Sequence, residues 1–292
     1  MGISTSKAHT RQKSTAIVAQ SKGCNAGRYR VPREEICYKE KTMSLWKLIE
    51  GDCCQKLKKW KERPTLIVAD PPYNQGLDYG GSVNDNLSTH QYHEWTQRWL
   101  QACVNALDSK GSLWVIISDE WAAEIASRLN KIMHRRNWIK WYETFGANCT
   151  HKFNRTSRHI LYYVKDPKQF IFCPHAVSRP SDRQTKYNDK RANPAGKIWD
   201  DVWQIPRVAG RHAERIEGVP TQIPLAITRA IISCASYRGD LVVDPFCGSA
   251  STGVACIELD RRFIGIEKEQ RFCSIGRKRL REAEENLELR NT

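Results

Sequence analysis

Residues 65–74, TLIVADPPYN, join a short apolar run to side chains that could bind a flat heterocycle. The apolar run is typical of a buried strand, and the two prolines cannot continue a strand ladder. Each proline fixes its own φ and restricts the residue before it, so Asp70 and Tyr73 are held in a nearly constant relation. A weakly basic heterocycle could stack on the tyrosine while its exocyclic amine donates to the acid. A Pro-Pro turn with a surface tyrosine would give the same sequence.

Residues 240–253, DLVVDPFCGSASTG, form a second stretch in which a strand ends at an acid. The acid is Asp244, and the small residues after it open a helix. Small residues let the backbone approach a ligand closely, and the amides at a helix start favour a negative group such as a carboxylate. This stretch therefore predicts a second binding loop.

The two stretches together resemble the DNA amino-methyltransferases, which move the methyl group of S-adenosylmethionine to an exocyclic amine. The DPPY loop at residues 70–73 precedes the cofactor loop, so the resemblance is to the permuted class called beta, and it covers roughly residues 44–282. It implies an α/β, Rossmann-like methyltransferase fold in circularly permuted order, with a mixed, mostly parallel sheet and an inserted target-recognition region. It also implies S-adenosylmethionine as the cofactor and double-stranded DNA as the partner, and it is compatible with a homodimer and a companion restriction nuclease.

The resemblance assigns catalysis to Asp70, Pro71, Pro72 and Tyr73. Asp70 and a carbonyl of the proline pair would each accept one N–H of the target amine, and Tyr73 would stack on the base. Cytosine-N4 enzymes of the family more often have Ser where Asp70 stands, so the predicted target is the N6 amine of adenine. Cytosine N4 is the alternative, and a catalytically degenerate DNA-binding module is a second one.

The resemblance also implies a set of cofactor contacts from separate parts of the chain. These residues are Asp52, Cys53, Asp70, Thr221, Gln222, Asp244, Pro245, Phe246, Cys247, Gly248, Ser249, Glu267 and Lys268. Asp52 suits the adenine amine, or else a turn or helix cap. Glu267, at a strand end, suits two ribose hydroxyls, or else is a surface acid.

Residues 219–224, VPTQIP, and 248–252, GSAST, depart from the family's pattern. Val219 and Ile223 replace a His and a Lys, and that Lys often supports the methionine end of the cofactor. Thr221 and Gln222 remain, but the role of the lysine is unassigned. Many relatives read GSGTT at the second site, where small residues still allow close approach with less backbone freedom.

The 292 residues suffice for one α/β domain with an inserted lobe. A formal net charge of +15 favours a polyanionic partner, although charge also serves solubility. Eleven cysteines without a Cys-x-x-Cys pair indicate reduced thiols, with neither a disulfide framework nor a bound metal. No apolar run could span a membrane and no secretory signal is visible, so we expect a cytoplasmic, nucleoid-associated protein of a bacterium or phage.

Periodicity divides the chain into an arm and a domain. Residues 1–42 are basic and without pattern, which indicates a disordered arm, and residues 43–292 are the methyltransferase domain. Within it, the pattern dissolves over residues 165–218, which are the expected target-recognition region, and residues 178–197 show no helical or strand period. Basic residues there that could contact DNA, or simply face solvent, are Arg179, Arg183, Lys186, Arg191, Arg207 and Arg211. Strands are predicted near 45–50, 65–69, 111–118, 138–144, 159–164, 240–244 and 263–267, and helices near 55–61, 89–107, 121–129, 225–235 and 270–290.

Overall fold

The computed structural model describes residues 45–146 and 149–291, so the predicted N-terminal arm lies outside the described residues. The strands within these ranges are β1 (Trp46–Glu50), β2 (Leu66–Ala69), β3 (Ser112–Ile117), β4 (His134–Tyr142), β5 (Ser157–Val164), β6 (Ser178–Arg179), β7 (Lys197–Ile198), β8 (Val202–Gln204), β9 (Leu241–Asp244) and β10 (Arg262–Glu267). The helices are α1 (Cys53–Lys58), α2 (Thr89–Ala106), α3 (Asp119–Leu129), α4 (Asp182–Thr185), α5 (Leu225–Ala235), α6 (Ser251–Glu258) and α7 (Gln270–Asn291), with a 3-10 turn at Pro174–Val177.

The main sheet has the strand order β1-β10-β9-β2-β3-β5-β4-β8. Among the described strands of this sheet, β5 alone runs antiparallel to its neighbours. The prediction of a mixed, mostly parallel sheet is therefore confirmed. The permuted order is confirmed as well, because β2 precedes β9 in the chain and lies beside it in the sheet.

Helices cover both faces of this sheet, which explains why its central strands are continuously apolar. All four residues of β2 are buried. Leu66 and Val68 pack in one core with α5, α6 and α7, and Ile67 packs in the other core with α1, α2 and α3. Side chains alternate across a strand, so one short segment contributes to both cores.

The strands β1, β2, β3, β9 and β10 are parallel, so their carboxyl ends share one edge of the sheet. We call this the carboxyl edge. The strand order reverses between β9 and β2, because the next strand after β9 lies on one side of this point and the next strand after β2 lies on the other. Ligands of open α/β sheets bind at such a point, beyond the carboxyl ends of the strands.

Three predicted segments differ from the structure. Helix α1 begins at Cys53, two residues early, because the Asp52 side chain accepts from the Gln55 N–H at 3.1 Å and caps the helix. Strand β4 begins at His134, where exposed polar residues hide the strand period. Residues 178–197, predicted without a helical or strand period, contain the short elements β6 and α4 and the first residue of β7. Beyond them, β8 pairs with β4 and buries Trp203.

No helix of the described residues combines the length and the apolar character needed to cross a membrane.

Candidate active site

A cavity of about 400 Å³ opens at the carboxyl edge. It brings both predicted binding loops together, since the loop after β2 and the loop after β9 both line it. The predicted site residues in its wall are Asp52, Cys53, Asp70, Pro71, Pro72, Tyr73, Thr221, Pro245, Phe246, Gly248, Glu267 and Lys268. One cavity therefore contains the residues predicted for catalysis and most of those predicted for the cofactor.

Asp70 is half-buried in this wall and has one oxygen engaged. The Tyr73 hydroxyl donates to Asp70 Oδ1 at 2.6 Å. Among the described residues this bond leaves the second oxygen, Oδ2, to accept from a ligand. Burial raises the pKa of Asp70 to about 6, although the bond from Tyr73 and the charge of Arg158 lower it. The carboxyl is thus ionised at neutral pH and can serve as an acceptor.

Tyr73 is held on several sides. Its side chain is 4% exposed, and the guanidinium carbon of Arg158 lies 4.8 Å from the centre of its ring. Arg158 Nε donates in turn to Glu143 Oε1 at 2.8 Å. The Tyr73 carbonyl accepts from Trp121 Nε1 at 2.7 Å. Stacking of the target base on this ring stays a prediction, and the structure adds a second role, which is to hold the Asp70 carboxylate.

The Pro72 carbonyl accepts from the Tyr92 hydroxyl at 2.8 Å. A carbonyl oxygen has two lone pairs, so this bond leaves one for an N–H of the target amine. Tyr92 lies on α2 and is buried, so its contact ties the proline pair to this helix. The rigidity expected from two prolines is therefore increased by hydrogen bonds at both ends.

Glu267, at the end of β10, organises the cofactor side of the cavity. Its Oε2 accepts from the Gly248 N–H at 2.7 Å, and its Oε1 accepts from the N–H groups of Lys268 and Glu269 at 2.8 Å each. Burial raises the pKa of Glu267, and these three N–H groups oppose the rise. A carboxylate offers about four acceptor positions, so roughly one remains for a ribose hydroxyl. The predicted binding of two ribose hydroxyls by Glu267 would need two such positions.

Gly248 has φ +50°, a left-handed conformation that glycine adopts without strain. Its N–H meets Glu267, and the loop around it forms part of the cavity wall. The aromatic rings of Phe246 and Phe272 also line the cavity. An acid at a strand end, a glycine loop and apolar rings suit a nucleoside cofactor, so the residues present fit S-adenosylmethionine.

Residues 65–278, more than half of the chain, match the profile of the family described as DNA methylase. The chain belongs to this family. It is 32% identical to the type II methyltransferase M.HpaI of Haemophilus parainfluenzae over 238 residues, which cover 80% of this chain and 74% of the relative. It is 33% identical to the DNA adenine methyltransferase YhdJ of Escherichia coli (strain K12) over 242 residues, which cover 80% of this chain and 82% of the relative.

Solved structures show the same fold. The crystal structure of the M1.HpyAVI–SAM complex aligns with a TM-score of 0.57 at 24% identity, over 80% of this chain and 98% of that one. The PvuII DNA methyltransferase, described as cytosine-N4-specific, aligns with a TM-score of 0.62 at 15% identity, over 84% and 93%. The predictions of a Rossmann-like methyltransferase fold, a DNA methyltransferase and S-adenosylmethionine as cofactor are confirmed.

Four residues predicted to contact the cofactor do not line the cavity of this DNA methylase. Asp244 instead accepts from the Thr252 hydroxyl at 2.6 Å and from the Phe246 N–H at 3.0 Å. Burial raises the pKa of Asp244 to about 7. Its carboxylate therefore fixes the loop after β9 from beneath the cavity.

The other three residues outside the cavity wall also shape loops. Gln222 bridges the backbone of residues 214 and 216, since its Nε2 donates at 2.6 Å and its Oε1 accepts at 3.1 Å. Cys247 packs against Gly265, where a Cβ would lie 2.5 Å from its Sγ. Ser249 Oγ accepts from Arg279 at 3.1 Å. These residues support the cofactor loop of the methylase without facing the cavity.

Residues 74–88 and α2 also contribute to the cavity wall, although no site residue was predicted in either. These residues include Tyr79, Val83, Asn84, Asp85, Leu87, Gln91, Tyr92, Glu94, Trp95 and Arg98. The buried Asp85 carboxylate accepts from the N–H groups of Asn74, Gln75 and Leu77 at 2.7, 3.1 and 2.9 Å. Tyr79 and Thr221 both line the cavity, so this loop and the cofactor half contribute to one wall. The glycines between residues 76 and 81 indicate a loop near the substrate, but nothing local indicates these partners.

The predicted DNA contacts of the methylase lie away from the cavity wall, and most are paired with acids. Arg179 bonds Asp200 at 3.0 Å, Arg183 and Arg191 bond Asp189 at 2.6 and 3.0 Å, and Lys186 bonds Asp182 at 3.0 Å. Arg207 differs, since its guanidinium carbon lies 4.3 Å from the centre of the Phe145 ring. Arg211 is exposed. Contact with DNA stays a prediction for all six.

Proposed function

We propose that this methylase transfers a methyl group to the N6 amine of adenine in double-stranded DNA, after flipping the target base out of the helix. The observation that carries the proposal is the ionisable Asp70, whose Oδ2 is available beside the cofactor cavity. Asp at this position favours adenine over cytosine in the family. The adenine specificity stated in the name of YhdJ supports the same choice.

An exocyclic amine is a weak nucleophile because its lone pair is delocalised into the ring. Asp70 Oδ2 and the open lone pair of the Pro72 carbonyl are two acceptors on one rigid loop. When each accepts one N–H, the nitrogen becomes pyramidal and its lone pair is directed away from the ring. Bound S-adenosylmethionine supplies an electrophilic methyl group at that position. Asp70 can also take the proton that the methylated nitrogen loses, since its pKa of about 6 is closer to neutrality than that of an ordinary aspartate.

The target amine is inside the duplex, so the nucleotide must leave the base stack at a cost of a few kcal/mol. Phosphate contacts supply affinity for this step, and the net charge of +15 favours them. We propose residues 165–218 as the region that recognises the sequence, with Arg179, Arg183, Lys186, Arg191, Arg207 and Arg211 as its contacts. These side chains lie on segments outside the cavity wall, which leaves the cavity to the cofactor and the flipped base.

Partners and location follow from this activity. M.HpaI is named a type II methyltransferase, which supports the proposal of a companion restriction nuclease for this chain. A homodimer is a further proposal, and its test is the mass of the purified protein in solution. A DNA substrate in bacteria implies action at the nucleoid, and fluorescent tagging in a bacterial host tests this.

The first experiment expresses the chain in a bacterial host that lacks DNA methylation. Single-molecule sequencing of the host DNA gives the methylated sequence, and mass spectrometry of the nucleosides identifies the product. We expect N6-methyladenine. N4-methylcytosine would overturn the choice of base, and unmethylated DNA would favour a DNA-binding module.

The substitution Asp70→Ala should abolish methylation while S-adenosylmethionine still binds. Loss of a positioned acceptor should lower the rate on the order of a hundredfold or more. Turnover is measured with labelled S-adenosylmethionine, and cofactor binding by calorimetry. Glu285→Ala, which removes an exposed acid of α7 outside the cavity wall, is the control. Wild-type turnover of the Asp70 variant would remove this acid from the mechanism.

A further inference from the structure

The connection between β4 and β5 emerges beside the active site. Its residues 143–146 and 149–156 are described. Strand β5 is antiparallel to both β3 and β4, so β4 points in the same direction as β3 and β2. The connection therefore leaves the sheet at the carboxyl edge, where Asp70 follows β2.

The described part of this connection is a narrow projection with a closed base. The Glu143 N–H donates to the Thr156 carbonyl at 2.7 Å. Gly146 lies so close to Arg155, on the other side of the base, that a Cβ on residue 146 would overlap the Arg155 carbonyl oxygen. Nearer the tip, the Cys149 N–H donates to Asn154 Oδ1 at 2.8 Å. These contacts give residues 149–156 a defined shape.

The projection is also fixed to the catalytic loop. Arg155 forms an ion pair with Glu120 and lies 3.6 Å from an Asp119 oxygen. Glu120 accepts in turn from Gln75 Nε2 at 3.0 Å. Gln75 is the second residue after Tyr73, so a short chain of side chains joins the projection to the active site.

Phe153, on this projection, is 98% exposed. It lies between Lys152 and Asn154, and residues 144–157 contain no acid. A single exposed phenylalanine is ordinary on a protein surface. This one, however, follows a lysine on a segment that is tied to the catalytic loop, so its ring is available to a partner that reaches the active site. An apolar ring beside a cation fits a partner with stacked rings and a negative backbone, which is nucleic acid.

We infer that Phe153 enters the base stack of duplex DNA at the position from which the target base is flipped, while Lys152 lies against a neighbouring phosphate. Apolar side chains that insert between base pairs open the stack, and an aromatic ring restores stacking with the exposed neighbours. In this role Phe153 lowers the cost of flipping and does not read the sequence. The inference rests on DNA as the substrate and holds for either target base.

The test compares Phe153→Ala with wild type on two duplexes that carry the methylated sequence. One duplex is fully paired, and the other has a mismatch opposite the target base, which makes flipping easier. We expect kcat/KM of the variant to fall about tenfold to a hundredfold on the paired duplex, the range for loss of one stacked ring. On the mismatched duplex the loss should be under about threefold, because the pair is already weakened.

Two further variants make the result specific. Phe153→Trp keeps an aromatic ring and should keep activity on both duplexes. Tyr237→Ala removes a 57%-exposed ring between α5 and β9, at the opposite edge of the sheet, and should change neither value. A wild-type affinity for S-adenosylmethionine would show that each variant is folded. Equal losses on both duplexes, or no loss on either, would overturn the inference, whereas a wild type that methylates neither duplex would instead refute the enzyme class.

Discussion

At the scale of single residues, Asp70, the proposed catalytic acid, depends on neighbours that are distant in the sequence. Tyr73 donates to one oxygen of Asp70, and the cation of Arg158 lies over the Tyr73 ring. Glu143 pairs with Arg158 and limits the effect of that cation on the acid. The protonation state of Asp70 is therefore set by burial, one hydrogen bond and two opposite charges.

The pH dependence of methylation should report the ionisation of Asp70. Only the ionised acid accepts at both oxygens, from the Tyr73 O–H at one and from an N–H of the target amine at the other, and burial raises its pKa to about 6. We therefore expect kcat/KM to fall about tenfold for each pH unit below about 6. Because the pKa is raised, the loss begins at a higher pH than for an ordinary aspartate. A rate that stays constant down to about pH 4.5 would contradict this assignment.

Tyr73→Phe should move this acid limb to higher pH. The ring remains for stacking, but the hydroxyl that lowers the pKa of Asp70 is removed. If Tyr73 only stacked on the base, the acid limb of the pH profile would stay where it is in the wild type. The variant therefore separates the stacking role of Tyr73 from its role in holding Asp70. Tyr237→Phe, at the opposite edge of the sheet, is the matched control. The measurement is kcat/KM across pH for the three proteins.

Glu267→Ala should weaken the binding of S-adenosylmethionine by about 1.5–3 kcal/mol, the range for a hydrogen bond to a charged group. The same change leaves the Gly248 N–H without its acceptor, so Tm is measured together with the dissociation constant. Glu50→Ala is the matched control, because Glu50 ends the neighbouring strand opposite Glu267 but is exposed and outside the cavity wall. An unchanged dissociation constant would limit Glu267 to a structural role.

At the scale of elements, four basic residues of the proposed target-recognition region are held by exposed ion pairs, namely Arg179, Arg183, Lys186 and Arg191. Such pairs contribute about 0–1 kcal/mol each, so a DNA phosphate can replace the acid at little cost. Single alanine substitutions of these four residues should therefore leave Tm nearly unchanged, and Arg207→Ala and Arg211→Ala complete the set of six variants. Where the side chain binds a phosphate, its removal should reduce the salt dependence of DNA binding by about one unit. Where it binds a base edge, its removal should relax specificity at one position by about 1–3 kcal/mol.

Binding is measured on matched and mismatched duplexes across salt concentrations. Lys278→Ala is the control for Lys186→Ala, since Lys278 forms a similar exposed pair with Glu282 four residues on, in α7. If the six variants behave like this control, sequence recognition does not depend on residues 178–211. The loop at residues 74–88 would then be the next element to test.

The local parts of the site could be predicted from the sequence, and the long-range parts could not. Asp70, the prolines and Tyr73 form one motif, whose strand and turn signals lie within ten residues. Arg158 and Glu143 meet Tyr73 only because β4 and β5 pair, and no spacing in the sequence indicates that contact. Trp95 has the position of a core residue on α2, yet it reaches the cavity, since a helix stripe does not show which part faces a ligand.

Short elements were unpredictable for a related reason. Strand β8 has three residues, and it forms because Trp203 packs in the core and its backbone pairs with β4. Too few residues are present for a period to be visible. In the cofactor loop, the motif indicated that Cys247 and Ser249 belong to the site region, but the side chain that turns toward the cavity depends on the path of the backbone.

At the scale of the whole molecule, the two ligands approach one edge of one sheet. The cavity, the projection with Phe153 and the segment after β8 all follow from strands that end at this edge. The net charge of +15 draws DNA to the protein, and this attraction weakens as salt screens it. In the proposed mechanism, the carboxyl edge of the sheet thus receives the cofactor, the base and the duplex.

The permuted strand order also has a consequence for biosynthesis. Trp46 of β1 pairs with Phe263 of β10, and β1 has no other partner in the main sheet among the described strands. Among the described strands, the first to leave the ribosome therefore waits for the last, and loops of this length close slowly. Until β9 is made, β2 exposes an apolar edge, which is a template for aggregation. If translation terminates before residue 241, the released chain has the proposed catalytic acid, an unpaired strand and half of its cavity.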